Sequence, residues 1–167
     1  MVSRTALSID SLENYPTEEG VSLIRKAYEG GVNFYQISDN NKHLKELLGY
    51  SFYGMRKEIF IAVASCALDT ISLQQEIIST LDTLNSTYID IFSLHNDNFV
   101  PKKDTKDGLY LSLLSAKADE NIKSIGFSTS KLELAKEALE SKLYDVIFFD
   151  FSLENSKIQE INNFFEE

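Results

Sequence analysis

A chain of 167 residues with 43% hydrophobic content is long enough for one domain with a full core. It carries 16 Lys plus Arg against 26 Asp plus Glu, a formal charge of -10 and a pI near 4.7, so nucleic acid and anionic lipid surfaces are excluded as expected partners. The opening residues MVSRTALSID lack a charged start followed by an apolar run, and no stretch approaches the roughly 20 apolar residues of a membrane span; the expected location is the cytoplasm.

In chain order, TALSI (5 to 9) reads as a first strand. TEEGVSLIRKAYEGG (17 to 31) reads as a helix with Thr17 as its N-cap, Val21, Leu23, Ile24 and Ala27 on one face, and Gly30 and Gly31 as its stop. VNFYQI (32 to 37) is a strand and HLKELLGYSFYG (43 to 54) a helix, with Asp39, Asn40 and Asn41 as the polar turn that starts it. EIFIAVAS (58 to 65) is a continuous apolar run of the kind a parallel sheet buries on both faces. SLQQEIISTLDTLN (72 to 85) is a helix, YIDIFSLH (88 to 95) a strand, DGLYLSLLSAKADE (107 to 120) a helix and IKSIGFS (122 to 128) a strand. KLELAKEALESK (131 to 142), YDVIFFDF (144 to 151) and SKIQEINNFFEE (156 to 167) complete the series as helix, strand and helix.

Six strands, each followed by a helix, specify an α/β chain with parallel strands and right-handed crossovers. Spacing alone leaves an open doubly wound sheet or part of an eight-unit barrel. The residues after the first strand, DSLENYP, contain no glycine, so the phosphate-binding turn of a dinucleotide fold is missing and that architecture loses ground. A single cysteine, Cys66, and two histidines give no zinc-ligand spacing, so no metal site is expected, and Cys66 reads as an inert residue after a strand.

At NFYQISDNNKHLKELLG (33 to 49) the chain resembles the aldo-keto reductase pattern in which a strand "NFxDTA" is followed by "DxYGxSEELLG". VSRTALS (2 to 8) resembles that family's first barrel strand "VSxLGLG", and RKEIFIAVAS (56 to 65) its "RxxVxIATK". LNSTYIDIFSLHNDN (84 to 98) is similar to "LGxDYIDLxxLHxPD", ENIKSIGFSTS (120 to 130) to "GKIRxIGVSN", and YDVIFFDFS (144 to 152) to "xDVxQxxYN". The resemblance implies a partial (β/α)8 TIM barrel of about six βα units, a single domain over residues 1 to 167 that lacks the last two barrel strands, with its site at the C-terminal ends of the strands.

It also implies a tetrad for NADPH-dependent carbonyl reduction, and three of its four positions are exchanged. The aspartate falls on Gln36, the proton-donating tyrosine on Asn41 and the lysine on Ala64; only the histidine is kept, as His95. An amide has no proton to give near neutral pH, so Asn41 cannot serve as the general acid. Of the groups that hold the nicotinamide amide, Ser128 and Thr129 take the serine and asparagine positions, and Phe148 replaces a glutamine. The expected function is that of a catalytically inactive, reductase-like protein with a binding, regulatory or structural role, needing no cofactor. The alternative is a fragment of a longer NADPH-dependent aldo/keto oxidoreductase.

Further expectations attach to single residues. Tyr35, next to Gln36, should point away from the barrel interior. His43 reads as solvated or capping, and His95 as a polar strand end. Ala6, Leu7 and Ser8, in place of "GLG", are expected to fill the mouth of the site. The first and sixth strands leave open edges, which self-association or a protein partner is expected to cover.

Overall fold

The computed structural model describes residues 2–38 and 41–150. Among them are six parallel strands and five α-helices: β1 Leu7–Ser8, α1 Thr17–Glu29, β2 Phe34–Ile37, α2 Lys42–Ser51, β3 Phe60–Ser65, α3 Thr70–Leu84, β4 Ile89–His95, α4 Leu109–Ala118, β5 Ile122–Thr129, α5 Leu132–Ser141 and β6 Val146–Phe149. Spatial order follows chain order from β1 to β6, and every neighbouring pair is parallel. This is the arrangement of a partial (β/α) barrel, with β1 and β6 as the edges of the described sheet. The helix read over 156 to 167 lies outside the described residues, as do Asp39 and Asn40 of the polar turn.

The sheet has two unlike faces, because side chains alternate along each strand. Tyr35, Ile61, Phe92, Leu94, Ile125 and Phe127 point outward and are sealed beneath the helices. Tyr35 meets Phe52 at 5.1 Å between ring centroids, and its hydroxyl donates to the Val32 carbonyl at 2.8 Å. Its placement away from the interior is as the alternation with Gln36 requires, and burial, with Tyr28 adding to it, raises the phenol to about 12. On the inward face, Gln36 pairs in register with Ala62, Ala64 with Ser93, Ser93 with Gly126, and His95 with Ser128. Gly126 is needed there, since a Cβ at that position would lie 2.6 Å from the Ser93 Cβ.

Several element ends differ from the sequence reading. The first strand contracts to two residues. Thr17 is not the N-cap of α1: Pro16 holds that position and no side chain closes the turn. α2 stops at Ser51, capped by Phe52, three residues before the glycine expected to end it; Gly54 instead takes a left-handed turn at φ 76. α3 begins two residues early, because the Asp69 carboxylate accepts the amides of Ile71 and Ser72 at 3.0 and 2.9 Å. The mouth is not filled by residues 6 to 8 either. Leu7 packs outward against the core, whereas Ala6 and Ser8 stay exposed, since alternation sends the one large side chain of the three to the helix side.

A largely buried ion pair, with Asp90 the more enclosed partner, ties the barrel's lower rim. Arg56 donates to Asp90 at 2.6 Å, and the same Asp90 oxygen accepts the Ile61 amide at 2.9 Å. The guanidinium also reaches the carbonyls of Ile59 and Tyr88, each at 3.1 Å, and lies 4.2 Å above the Tyr88 ring centroid. Both charges are thereby matched by several polar partners, the condition under which a buried pair is tolerated.

Candidate functional site

The C-terminal ends of the strands bring the expected positions together. Gln36 on β2 and His95 on β4 lie half-buried on the inward face, and Ala64 on β3 is buried between them in strand order. Asn41 stands at the start of α2, where its side-chain oxygen accepts the Leu44 amide at 3.3 Å and its amide nitrogen donates to Glu13 at 3.1 Å. The residue at the tyrosine position is therefore a helix cap tied to the loop after β1, and both ends of its amide are occupied. His43 bonds the Tyr15 carbonyl at 2.9 Å, which fastens α2 to the same loop. Asp10 completes this side of the rim, accepting from Ser8 at 2.6 Å and from the Ser38 amide at 3.0 Å.

The opposite side of the rim centres on His95. Its Nδ1 lies 3.1 Å from the Ser128 hydroxyl on β5, and its Nε2 lies 3.8 Å from Asp97, two residues beyond β4. Asp97 accepts the Ser130 hydroxyl at 2.6 Å, the Thr129 hydroxyl at 2.7 Å and the Ser130 amide at 2.8 Å. The Ser130 hydroxyl, then the Thr129 hydroxyl and the Ser130 amide, hold the carboxyl at about 2, below its ordinary 3.8. The residues on either side of Asp97 are also ordered: Asn96 is buried and accepts the amides of Asn98 and Phe99 at 2.8 and 3.1 Å. Sequence reading passed over Asp97. The only available signal was an acid two residues after a strand-end histidine, and the partners that give it meaning lie 32 and 33 positions away.

Ser128 and Thr129 face differently. Ser128 is half-buried on the inward face beside Phe148, its register partner on β6. Thr129 has no exposed surface, and its hydroxyl is held by Asp97. A nicotinamide amide would thus meet a serine hydroxyl already bonded to His95, a threonine held by Asp97 and a phenyl ring that can neither donate nor accept. That set is a poor fit for the group. Among the described residues no cluster of His, Cys, Asp or Glu is arranged to hold a metal ion, and no helix is long and apolar enough to cross a membrane. Cys66 is exposed just past β3.

No family model and no curated protein matches the sequence itself. Solved structures match it by shape. An aldo-keto reductase from Bacillus halodurans in its holo form superposes with a TM-score of 0.81 at 18% identity, over 99% of this chain and 59% of that one. A glycerol dehydrogenase from Gluconobacter oxydans gives 0.77 at 18% identity, over 95% of this chain and 54% of that one. An aldo/keto reductase from Klebsiella pneumoniae, in complex with NADP and acetate, gives 0.68 at 15% identity, over 81% and 48%. The chain therefore spans between about half and three fifths of the length of these proteins. At such identities the likeness is one of fold.

Proposed function

We propose that this chain, which carries the aldo-keto reductase fold, does not reduce carbonyl compounds and uses the scaffold for a binding, regulatory or structural role. One observation carries the reading: Asn41, where the resemblance places the proton donor, is bonded to Leu44 and Glu13 as a helix cap. Gln36 and Ala64 at the aspartate and lysine positions point the same way, since neither carries charge with which to tune a proton donor. The engaged Thr129 and the phenyl ring of Phe148 support a chain that needs no nicotinamide cofactor. The test is calorimetric titration with NADPH, together with a panel of aldehydes and quinones. No binding heat and no NADPH oxidation above a His95→Ala control are expected; turnover above that control overturns the reading.

A second reading is that the sequence is a piece of a longer NADPH-dependent aldo/keto oxidoreductase. It is favoured by the fraction of each matched structure that the chain spans, 59% in the Bacillus halodurans protein. It predicts that a longer product of the same coding sequence binds NADPH where the 167-residue chain does not.

On either reading we place the chain in the cytoplasm and expect a second copy or a protein partner to cover the edges at β1 and β6. Each edge strand has one side of its backbone unpaired within the described sheet. Sedimentation showing a dimer supports this, and a sharply monomeric profile counts against it.

A further inference from the structure

We propose that Ser128, His95 and Asp97 form a hydroxyl, imidazole and carboxylate relay on which the chain accepts an acyl group from a small, uncharged ester. Ser128 and His95 are the catalytic residues and Asp97 is a positioning residue. This goes beyond the loss of carbonyl reduction, because acyl transfer is redox-neutral and needs neither a nicotinamide nor any of the three exchanged positions.

The geometry rests on strand register. β4 and β5 pair in parallel with His95 opposite Ser128, so both side chains emerge on the same inward face at the same height. Asp97 approaches the far side of the ring, 3.8 Å from Nε2. A carboxylate there favours the tautomer with its proton on Nε2, which leaves Nδ1, 3.1 Å from the Ser128 oxygen, as the acceptor for the hydroxyl proton. This is the logic of an activated nucleophile, a base within reach of a hydroxyl and itself oriented by a third group, with the two ring nitrogens exchanged relative to the serine-protease arrangement. Asp97 is well suited to its part. Ser130 and Thr129 fix its position through three hydrogen bonds and keep it ionised, so a negative charge faces the ring as the imidazolium forms.

Substrate class follows from the neighbours. Phe148 stands beside Ser128 across the β5–β6 pair and is half-exposed, giving an apolar surface for a short acyl chain. The chain's charge of -10 and the nearby Asp97 disfavour an anionic substrate. In the reaction, the Ser128 oxygen bonds to the acyl carbon while its proton passes to His95 Nδ1. The ester C–O bond breaks, and the departing alcohol takes that proton. Water, deprotonated by the same imidazole, then attacks the acyl-serine, releasing the acid and restoring the Ser128 hydroxyl.

The test uses the full chain carrying Cys66→Ala, which removes the exposed thiol as a competing nucleophile. A serine-directed alkyl fluorophosphonate is added and the adduct located by peptide mass spectrometry, with p-nitrophenyl acetate as the ester. One adduct, on Ser128, is expected. Ser128→Ala should abolish it, and His95→Ala should slow labelling and ester acylation by about 100-fold, the lower range for a positioned base. His43→Ala should leave both unchanged. Asp97→Asn should lower the acylation rate about tenfold with KM for the ester unaltered, which a merely structural role would not do; that figure is a modest share of what an orienting carboxylate contributes in such relays. Absence of an adduct, an adduct on another residue, or equal labelling in His95→Ala overturns the proposal. Because the site of labelling is read on the chain with Ser128 and His95 intact, the result does not depend on the variants folding.

Discussion

The two faces of the sheet are built from the same strands under different constraints. Outward, Tyr35, Ile61, Phe92, Leu94 and Phe127 are at most 1% exposed, each locked against a helix. Inward, Gln36, His95, Ser128 and Phe148 are only half-buried. An outward residue cannot change without leaving a cavity or forcing the helices apart, whereas an inward one near the strand ends can change with little effect on folding. That difference lets Gln36, His95 and Ser128 vary at the strand ends while the outward core holds the sheet and helices together.

The largest effect should separate the faces directly. Phe92→Ala is expected to cost about 3–5 kcal/mol, the range for emptying a fully buried aromatic site, while Gln36→Ala should stay within about 0.5 kcal/mol. Urea unfolding of both variants checks this, and equal costs would mean that the inward face is packed as well. Next is the rim pair. Arg56→Met leaves the Asp90 carboxylate with the Ile61 amide in place of the guanidinium it has lost, and about 3 kcal/mol of stability should be lost in the same assay.

Gly126→Ala sharpens the contrast, because it lies on the inward face yet should cost about 2 kcal/mol: its new Cβ would press on Ser93, whose position β3 and β5 both restrict. A neutral result would show that β4 and β5 can separate there. Asn41→Ala removes the α2 cap and should lower the thermal midpoint by an amount equivalent to about 1 kcal/mol. The smallest effect concerns acid. Asp97 has its carboxyl lowered to about 2 in the folded chain from 3.8, so its contribution is complete above about pH 5 and is lost as pH falls toward 2. Asp97→Asn, which cannot titrate, should differ from the parent at pH 5 and converge on it near pH 2, measured by unfolding across that range. Curves that stay parallel would place the shift elsewhere.

Much of the fold was legible because its signals are local. The apolar run over 58 to 65 became β3, and the periodic segments became α1 through α5, since alternation and helical spacing act between near neighbours. Ends were less legible. At α3 the Asp69 cap lies before the first periodic residue and was missed, while at α1 Thr17 looked like a cap but the turn is entered through Pro16. For the site, the motifs pointed to Gln36, Ala64, His95 and Ser128, which lie toward the C-terminal ends of their strands, and to Asn41 at the start of α2, yet showed nothing of what each side chain touches.

What the sequence determined by itself was the order of elements, the parallel connections they demand, and the identity of the residues at each strand end. Only the tertiary structure decided the partners. Arg56 finds Asp90 across 34 positions, Ser130 finds Asp97 across 33, and Ser128 finds His95 across 33. Each pairing spans one strand–helix–strand crossover, and its register depends on how the helix between packs against the sheet. No local pattern encodes that register. It emerges when the outward face closes, and the inward groups are carried into contact by it.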